Sequence, residues 1–182
     1  MFCWRYLIRS LLVVIALVAL AFQSHAESWI YTVDRDAIDD EKVGSANQLS
    51  DDTSSLTNWW ALMVFCREQP GGTFWSVLVK RPYPFSPSIP GYSDVSVTLR
   101  IDQETPRVIP GYIVGGDATF RFTGQYENEA DRQNITNEDI KDLIAELKSA
   151  NKVAIRINGE TREFSMSGSA KALSALEAHC GY

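Results

Sequence analysis

Cys66, Cys180 and His179 are the residues whose types open this sequence to covalent or metal chemistry. A thiolate beside an imidazole is a nucleophile with its base. Two thiols in an oxidising compartment are a disulfide. Cysteine with histidine is the beginning of a zinc site. His179 and Cys180 are neighbours in the chain, but adjacency does not hold a thiolate against a base, and an oxidised sulfur is no nucleophile. A serine–histidine triad would have to use His179, and no Gly-x-Ser-x-Gly turn is present. In Ser167-Gly168-Ser169-Ala170-Lys171 the lysine follows the serines by two and four residues, which misses the Ser-x-x-Lys spacing. That segment reads instead as a strand-to-helix turn with Ser169 as the helix cap. Asp39-Asp40 and Asp51-Asp52 supply oxygens, but not the regular loop of donors that calcium takes. The sequence therefore points to no catalytic residues, no metal site and no cofactor.

Which chemistry the cysteines follow depends on compartment, and the first 26 residues address that. Arg5 and Arg9 are their only charges, Ser10 to Phe22 is nearly continuous apolar sequence, and Ser24-His25-Ala26 places small residues three and one positions before a cut. This is the architecture of a secretory signal peptide, 1–26, cleaved after Ala26. An uncleaved anchor is the competing reading, but the apolar run falls short of the ~20 residues of a spanning helix. Cys3 precedes the run and leaves with the peptide, as does His25. Cleavage leaves 15 Lys and Arg against 23 Asp and Glu, a formal charge of −8. An acidic domain of that kind is a poor binder of nucleic acid or of an anionic membrane surface. Cys66 and Cys180 remain, and an even count in an exported chain favours a disulfide between them. Two buried free thiols are the alternative; a zinc site lacks ligands, since His179 is the last histidine left.

Residues 27–182 suit one periplasmic or secreted domain with its own core. Trp60, Leu62, Val64 and Cys66 alternate with Trp59, Ala61, Met63 and Phe65, which predicts a strand apolar on both faces. Thr73 to Lys80 follows the turn signal Gln69-Pro70-Gly71-Gly72. Asp94 to Asp102 has period-two alternation, with Val95, Val97, Leu99 and Ile101 on one face and Ser96, Thr98 and Arg100 on the other. Ala118, Phe120 and Phe122 predict another strand. Val153, Ile155 and Ile157 lead through Asn158-Gly159, a strong hairpin signal, into Arg162 to Met166. Ile140, Leu143, Ile144 and Leu147 share one face of a helix over 137–148, with Thr136 as cap and Ile135 facing Ile140 as a staple. A second helix over 170–179 carries Cys180 back towards Cys66. Strands and helices are segregated, so the expected fold is mainly β (α+β): an antiparallel β-sandwich with one inserted helix and a C-terminal helix.

Arg81 to Tyr92, RPYPFSPSIPGY, is compositionally the most unusual segment. Its four prolines restrict the backbone to extended forms. It is either a long connection packed over its own core, which is the default, or a stiff docking loop presenting Tyr83, Phe85, Ile89 and Tyr92 to another protein. Asn134-Ile135-Thr136 is a glycosylation sequon in form, though Thr136 is already explained as a cap.

Several short segments in order resemble the VasI/TagO-like group of periplasmic proteins associated with type VI secretion. They are Trp29-Ile30-Tyr31-Thr32-Val33 with Ala37-Ile38-Asp39-Asp40, the cysteine-bearing Leu62-Met63-Val64-Phe65-Cys66-Arg67, and Val97-Thr98-Leu99-Arg100-Ile101-Asp102. Phe164-Ser165-Met166-Ser167-Gly168 with Ala172-Leu173 and Cys180 completes the series. This ending also resembles the invasion-associated locus B proteins. The chain departs from the secretion-associated group in ending Cys180-Gly181-Tyr182, where that group tends to a tryptophan, and in its proline-rich segment. The resemblance implies a disulfide-linked, mostly β periplasmic protein with no established catalytic residues, with strand and turn over 34–57. Arg100 and Asp102, two apart on an outward strand face, form a solvated pair by default, with Arg100 also a candidate contact residue.

These readings converge on an exported non-enzymatic accessory or binding protein of the cell envelope, acting on a protein partner. The candidate partner-binding residues are Tyr83, Phe85, Tyr92 and Arg100. The alternatives are an envelope hydrolase or a regulator of one, and an invasion-associated locus B-like secreted protein.

Overall fold

The computed structural model describes residues 29–35, 40–51, 58–85, 94–114, 118–122 and 137–181. Residues 1–26, expected to be a signal peptide, together with Asp39, Asp52, Ile89, Tyr92 and the expected cap and sequon Asn134-Ile135-Thr136, lie outside the described residues. The described chain forms nine strands and two helices: β1 Ile30–Arg35, β2 Lys42–Leu49, β3 Ala61–Gln69, β4 Gly72–Lys80, β5 Asp94–Ile101, β6 Arg107–Val114, β7 Thr119–Phe122, α1 Asn137–Ser149, β8 Lys152–Ile157, β9 Glu160–Ser165 and α2 Ser169–Cys180. The mainly β, antiparallel α+β class holds. All nine strands are hydrogen-bonded into one sheet in the order β1-β2-β3-β4-β7-β6-β5-β8-β9. Two meanders, β1 to β4 and β5 to β7, are joined where β7 pairs with β4. The β8–β9 hairpin adds to the far side of β5. The backbone just past β2 then meets β9, with the Asp51 N–H donating to the Glu163 carbonyl at 2.9 Å and the Ser165 N–H to Asp51 Oδ1 at 3.0 Å. The sheet thus curls until its last strand touches the β2–β3 corner.

Alternation decides what lies inside the curl. Leu62, Val64 and Cys66 of β3, Trp75, Val77 and Val79 of β4, Phe120 and Phe122 of β7, and Val153, Ile155 and Ile157 of β8 line one continuous apolar core. Helix α1 supplies Ile140, Leu143, Ile144 and Leu147, and α2 supplies Leu173 and Leu176. The helices pack on each other and against β1 to β4. Among the described residues no helix is long and apolar enough to cross a membrane.

Three local expectations are corrected. The strand buried on both faces is β4, where Trp75 to Val79 are all buried; β3 buries Leu62, Val64 and Cys66 but leaves Met63 and Phe65 half-buried. Ser169 does not cap α2. Gly168 does so in a left-handed conformation (φ 85°), and the buried Ser169 hydroxyl donates instead to the Leu147 carbonyl at 3.0 Å. Finally, β6 was not apparent in the sequence, because Pro110-Gly111 reads as a turn. Pro110 lies just beyond the end of β7, where β6 has a strand neighbour on one side only, so its missing N–H is tolerated. Gly111 is required where it stands, because a Cβ there would collide with the Phe120 ring and the Arg121 carbonyl. Asn158 and Gly159 both take positive φ (50° and 83°), as a tight hairpin turn demands.

Candidate functional site

The Cys66 and Cys180 sulfurs are 2.12 Å apart, with Cα atoms separated by 6.4 Å. The bond ties the middle of β3 to the last residue of α2. Its approach is shaped by Gly44 on β2, paired with Cys66. A Cβ at Gly44 would strike Leu176 of α2 and come within 3.2 Å of the Cys66 sulfur. Thr73 Oγ1 donates to the Cys180 carbonyl at 2.6 Å. Beside it, His179 Nε2 is 3.0 Å from the Asp34 carbonyl oxygen, an acceptor, so that nitrogen carries the proton. The imidazole is committed to a backbone contact between α2 and β1. Among the described residues no group of three or more His, Cys, Asp or Glu side chains is placed to hold a metal ion.

The root of the proline-rich segment is the most elaborately held surface feature. Arg81, one residue past β4, is only 4 % exposed. Its Nε donates to the Tyr83 carbonyl at 2.9 Å, one Nη to the Pro84 carbonyl, and the other to Glu160 Oε1 at 3.1 Å. The guanidinium carbon sits 4.1 Å from the Phe85 ring centroid, 4.5 Å from Tyr83 and 5.5 Å from Trp60. Trp60 is fully buried, meets Phe85 edge-on at 5.3 Å, and carries Arg162 over its ring at 5.2 Å. Asn58 Oδ1 accepts from the Tyr83 hydroxyl at 2.9 Å and from Arg162 at 3.2 Å. Asn158 Nδ2 donates to the Phe85 carbonyl at 3.1 Å. A cation, two amides and three aromatic rings thus fix residues 81–85 against the β8–β9 hairpin.

The four candidate contact residues fare differently. Phe85 is buried (5 % exposed) and is corrected from a presented side chain to part of the core, because Arg81 and Trp60 enclose it. Tyr83 remains 36 % exposed above the guanidinium. Tyr92 lies outside the described residues. Arg100 is exposed on β5, separate from the Arg81 cluster, and its loose 3.9 Å contact is with Glu163 rather than Asp102. Asp102 turns away in a left-handed conformation (φ 46°) and accepts from the Asn151 and Lys152 N–H groups at 2.9 and 2.8 Å. Those donors hold its carboxyl below the usual carboxylate range, backbone donation from Lys152 being the largest cause.

Two depressions accompany these features. One, about 320 Å³, lies between β6 and α1, and its lining includes the two-pronged pair of Arg107 with Glu146, which raises the arginine's affinity for its proton. The other, about 100 Å³, lies on β5, β8 and β9 around Arg100 and Arg156. Sequence reasoning missed Arg81, Trp60 and Arg156. A charged residue beside a proline–aromatic run was the available signal for Arg81; Arg156 had none, since its meeting with Arg100 depends on register between strands distant in sequence. In comparisons with known proteins, no family model, no curated protein and no solved structure matches the chain.

Proposed function

We propose that this is an exported, non-enzymatic accessory or binding protein that works through contact with a protein partner in the cell envelope, using the proline-rich segment as its docking element. One observation carries the reading: a buried arginine and its aromatic and amide partners are spent on fixing the first five residues of that segment. A docking loop with a fixed root loses less conformational freedom on binding, so more of its contact energy becomes affinity. Export is supported by the charged, apolar and small-residue tripartite start of the sequence, and by the Cys66–Cys180 bond, which suits an oxidising compartment. The ordered likeness to the VasI/TagO-like group supports an association with type VI secretion or with the envelope.

A photo-crosslinking residue in place of Tyr83, in the full-length protein expressed in its native envelope, tests this. A single identified envelope protein should be captured there, and not from a control position such as Lys171 on α2. Deleting 86–91 with the Arg81 cluster intact should abolish capture. If Tyr83 captures nothing beyond the control, and the deletion leaves the protein's envelope associations unchanged, the docking reading fails.

A further inference from the structure

We propose that the outer face of β5, β8 and β9 carries a subsite for one oxyanion, a phosphate- or carboxylate-sized group held between Arg100 and Arg156. The register builds it. Thr98 pairs with Arg156, which pairs with Thr161, and Arg100 pairs with Ala154, which pairs with Glu163. The two arginines are therefore diagonal neighbours on one face, with Ala154 between them as a floor too small to fill the gap. The resulting depression of about 100 Å³ is lined by Thr98, Arg100, Pro106, Ala154, Arg156 and Thr161.

The lining is one-sided chemically. Arg156 Nε donates to Thr161 Oγ1 at 3.0 Å. With its oxygen accepting there, the Thr161 hydroxyl keeps its own proton for another acceptor. Among the described residues no carboxylate lines the depression. Glu163 stands outside it, 3.9 Å from Arg100, and is taken more closely by Lys152 at 3.0 Å. Among the described residues no acid lies within 4 Å of Arg156. Like charges at neighbouring positions across strands repel, so an arginine pair whose one ion pair among the described residues is the 3.9 Å approach of Glu163 to Arg100 is complementary to an external anion, even in a chain of net charge −8 after leader removal. Guanidinium groups are suited to phosphate and carboxylate because their donors match both oxygens at once. The volume is roughly that of three waters at about 30 Å³ each, and smaller than the ~300 Å³ at which pockets for whole ligands begin. It takes a single anionic group, free or at the tip of something larger. The subsite does not depend on the proline-rich segment.

Amide NMR on the mature protein, titrated with sodium phosphate and separately with sodium acetate at constant ionic strength against chloride, reads it directly. Saturable shifts centred on Arg100, Ala154, Arg156 and Thr161 are expected with at least one anion. Saturation by phosphate alone assigns a phosphoryl-type group, and saturation by acetate assigns a carboxylate. Arg156→Gln should weaken binding by about fivefold or more, the scale of one exposed ion pair. Ala154→Leu, which fills the floor and leaves both charges, should do the same. Shifts that stay linear with both anions, or that are equal in the wild type and both variants, overturn the proposal.

Discussion

Arg81 is a cation with almost no water around it, and what replaces that water determines how it can be altered. Two backbone carbonyls, one carboxylate and three ring faces take up the guanidinium. Charge-assisted hydrogen bonds contribute about 1.5–3 kcal/mol each when measured by deletion, and a desolvated cation over an aromatic face about 2 kcal/mol. The contributions overlap, and Glu160 is half-exposed and regains water, so Arg81→Met is expected to cost about 2–4 kcal/mol. Arg81→Lys keeps the charge but lacks the planar fork that reaches two carbonyls and a carboxylate together, and should lose about 1–2 kcal/mol. Urea unfolding at neutral pH measures both; a loss under about 0.5 kcal/mol for Arg81→Met, the range of ordinary surface substitutions, would show that the cluster does not anchor the segment. Asp102 gives a second test, through pH. Its folded carboxyl is held below its unfolded value by the Lys152 and Asn151 donors. A depressed carboxylate contributes stability that is present above the unfolded value and disappears as pH falls through the folded one. The wild type should therefore lose stability on acidification through and below pH ~4, and Asp102→Asn, which still suits a left-handed backbone, should lose less over that same window. Equal acid limbs in the two unfolding series would remove Asp102 from the account.

Between elements, the closest fit is where β2 passes under α2. Gly44 leaves no room for a methyl group between Leu176 and the disulfide, so Gly44→Ala should cost about 1–3 kcal/mol by overpacking. Part of that cost should be recovered when Leu176→Ala is made with it, since residues in contact are energetically coupled. Additive losses in the double-mutant cycle would mean that the helix shifts without resistance. The same site shows what was legible in the sequence. Period-two alternation identified β5, and the Asn158-Gly159 turn identified the β8–β9 hairpin, because both are local signals. The apolar stripe of α1 was equally local. Gly44 carried no signal, because its reason is a helix more than a hundred residues later. Strand β6 was hidden for a related reason. Its Pro110-Gly111 is a turn by composition, and becomes a strand only because β7 ends beside Pro110 and Phe120 packs over Gly111. The candidate site divides in the same way. The proline–aromatic composition marked the segment, but whether Phe85 faced outward or inward depended on Trp60 and Arg81 closing over it.

At the scale of the whole molecule, the pairings β4-β7 and β5-β8 join pieces that the sequence lists far apart, so that the nine described strands share one antiparallel sheet that curls. Such a sheet brings its early and late strands together, and the Cys66–Cys180 bond, spanning 114 residues, closes most of the domain into one covalent loop, with β1 and β2 outside it. In the chain-entropy account a loop of that size contributes about 4.7 kcal/mol, so Cys66→Ala with Cys180→Ala should lower the unfolding free energy by several kcal/mol. The bond also makes the compartment measurable, because the cysteines are distributed as a counter. Cys3 belongs to the proposed leader, and Cys66 and Cys180 to the domain. If the leader is removed after Ala26 and the pair is oxidised, denatured protein taken from the envelope starts at Glu27, takes up no thiol reagent, and takes up two equivalents after reduction. A retained leader gives an N-terminus at Met1 and one further equivalent in each state, from Cys3. Two equivalents without reductant would mean free thiols, and would remove the disulfide on which the exported reading partly rests. Intact-mass measurement after alkylation separates these outcomes in one experiment, and does so without reference to any partner. In the first outcome the chain begins at Glu27, and its third residue, Trp29, is already buried in the domain.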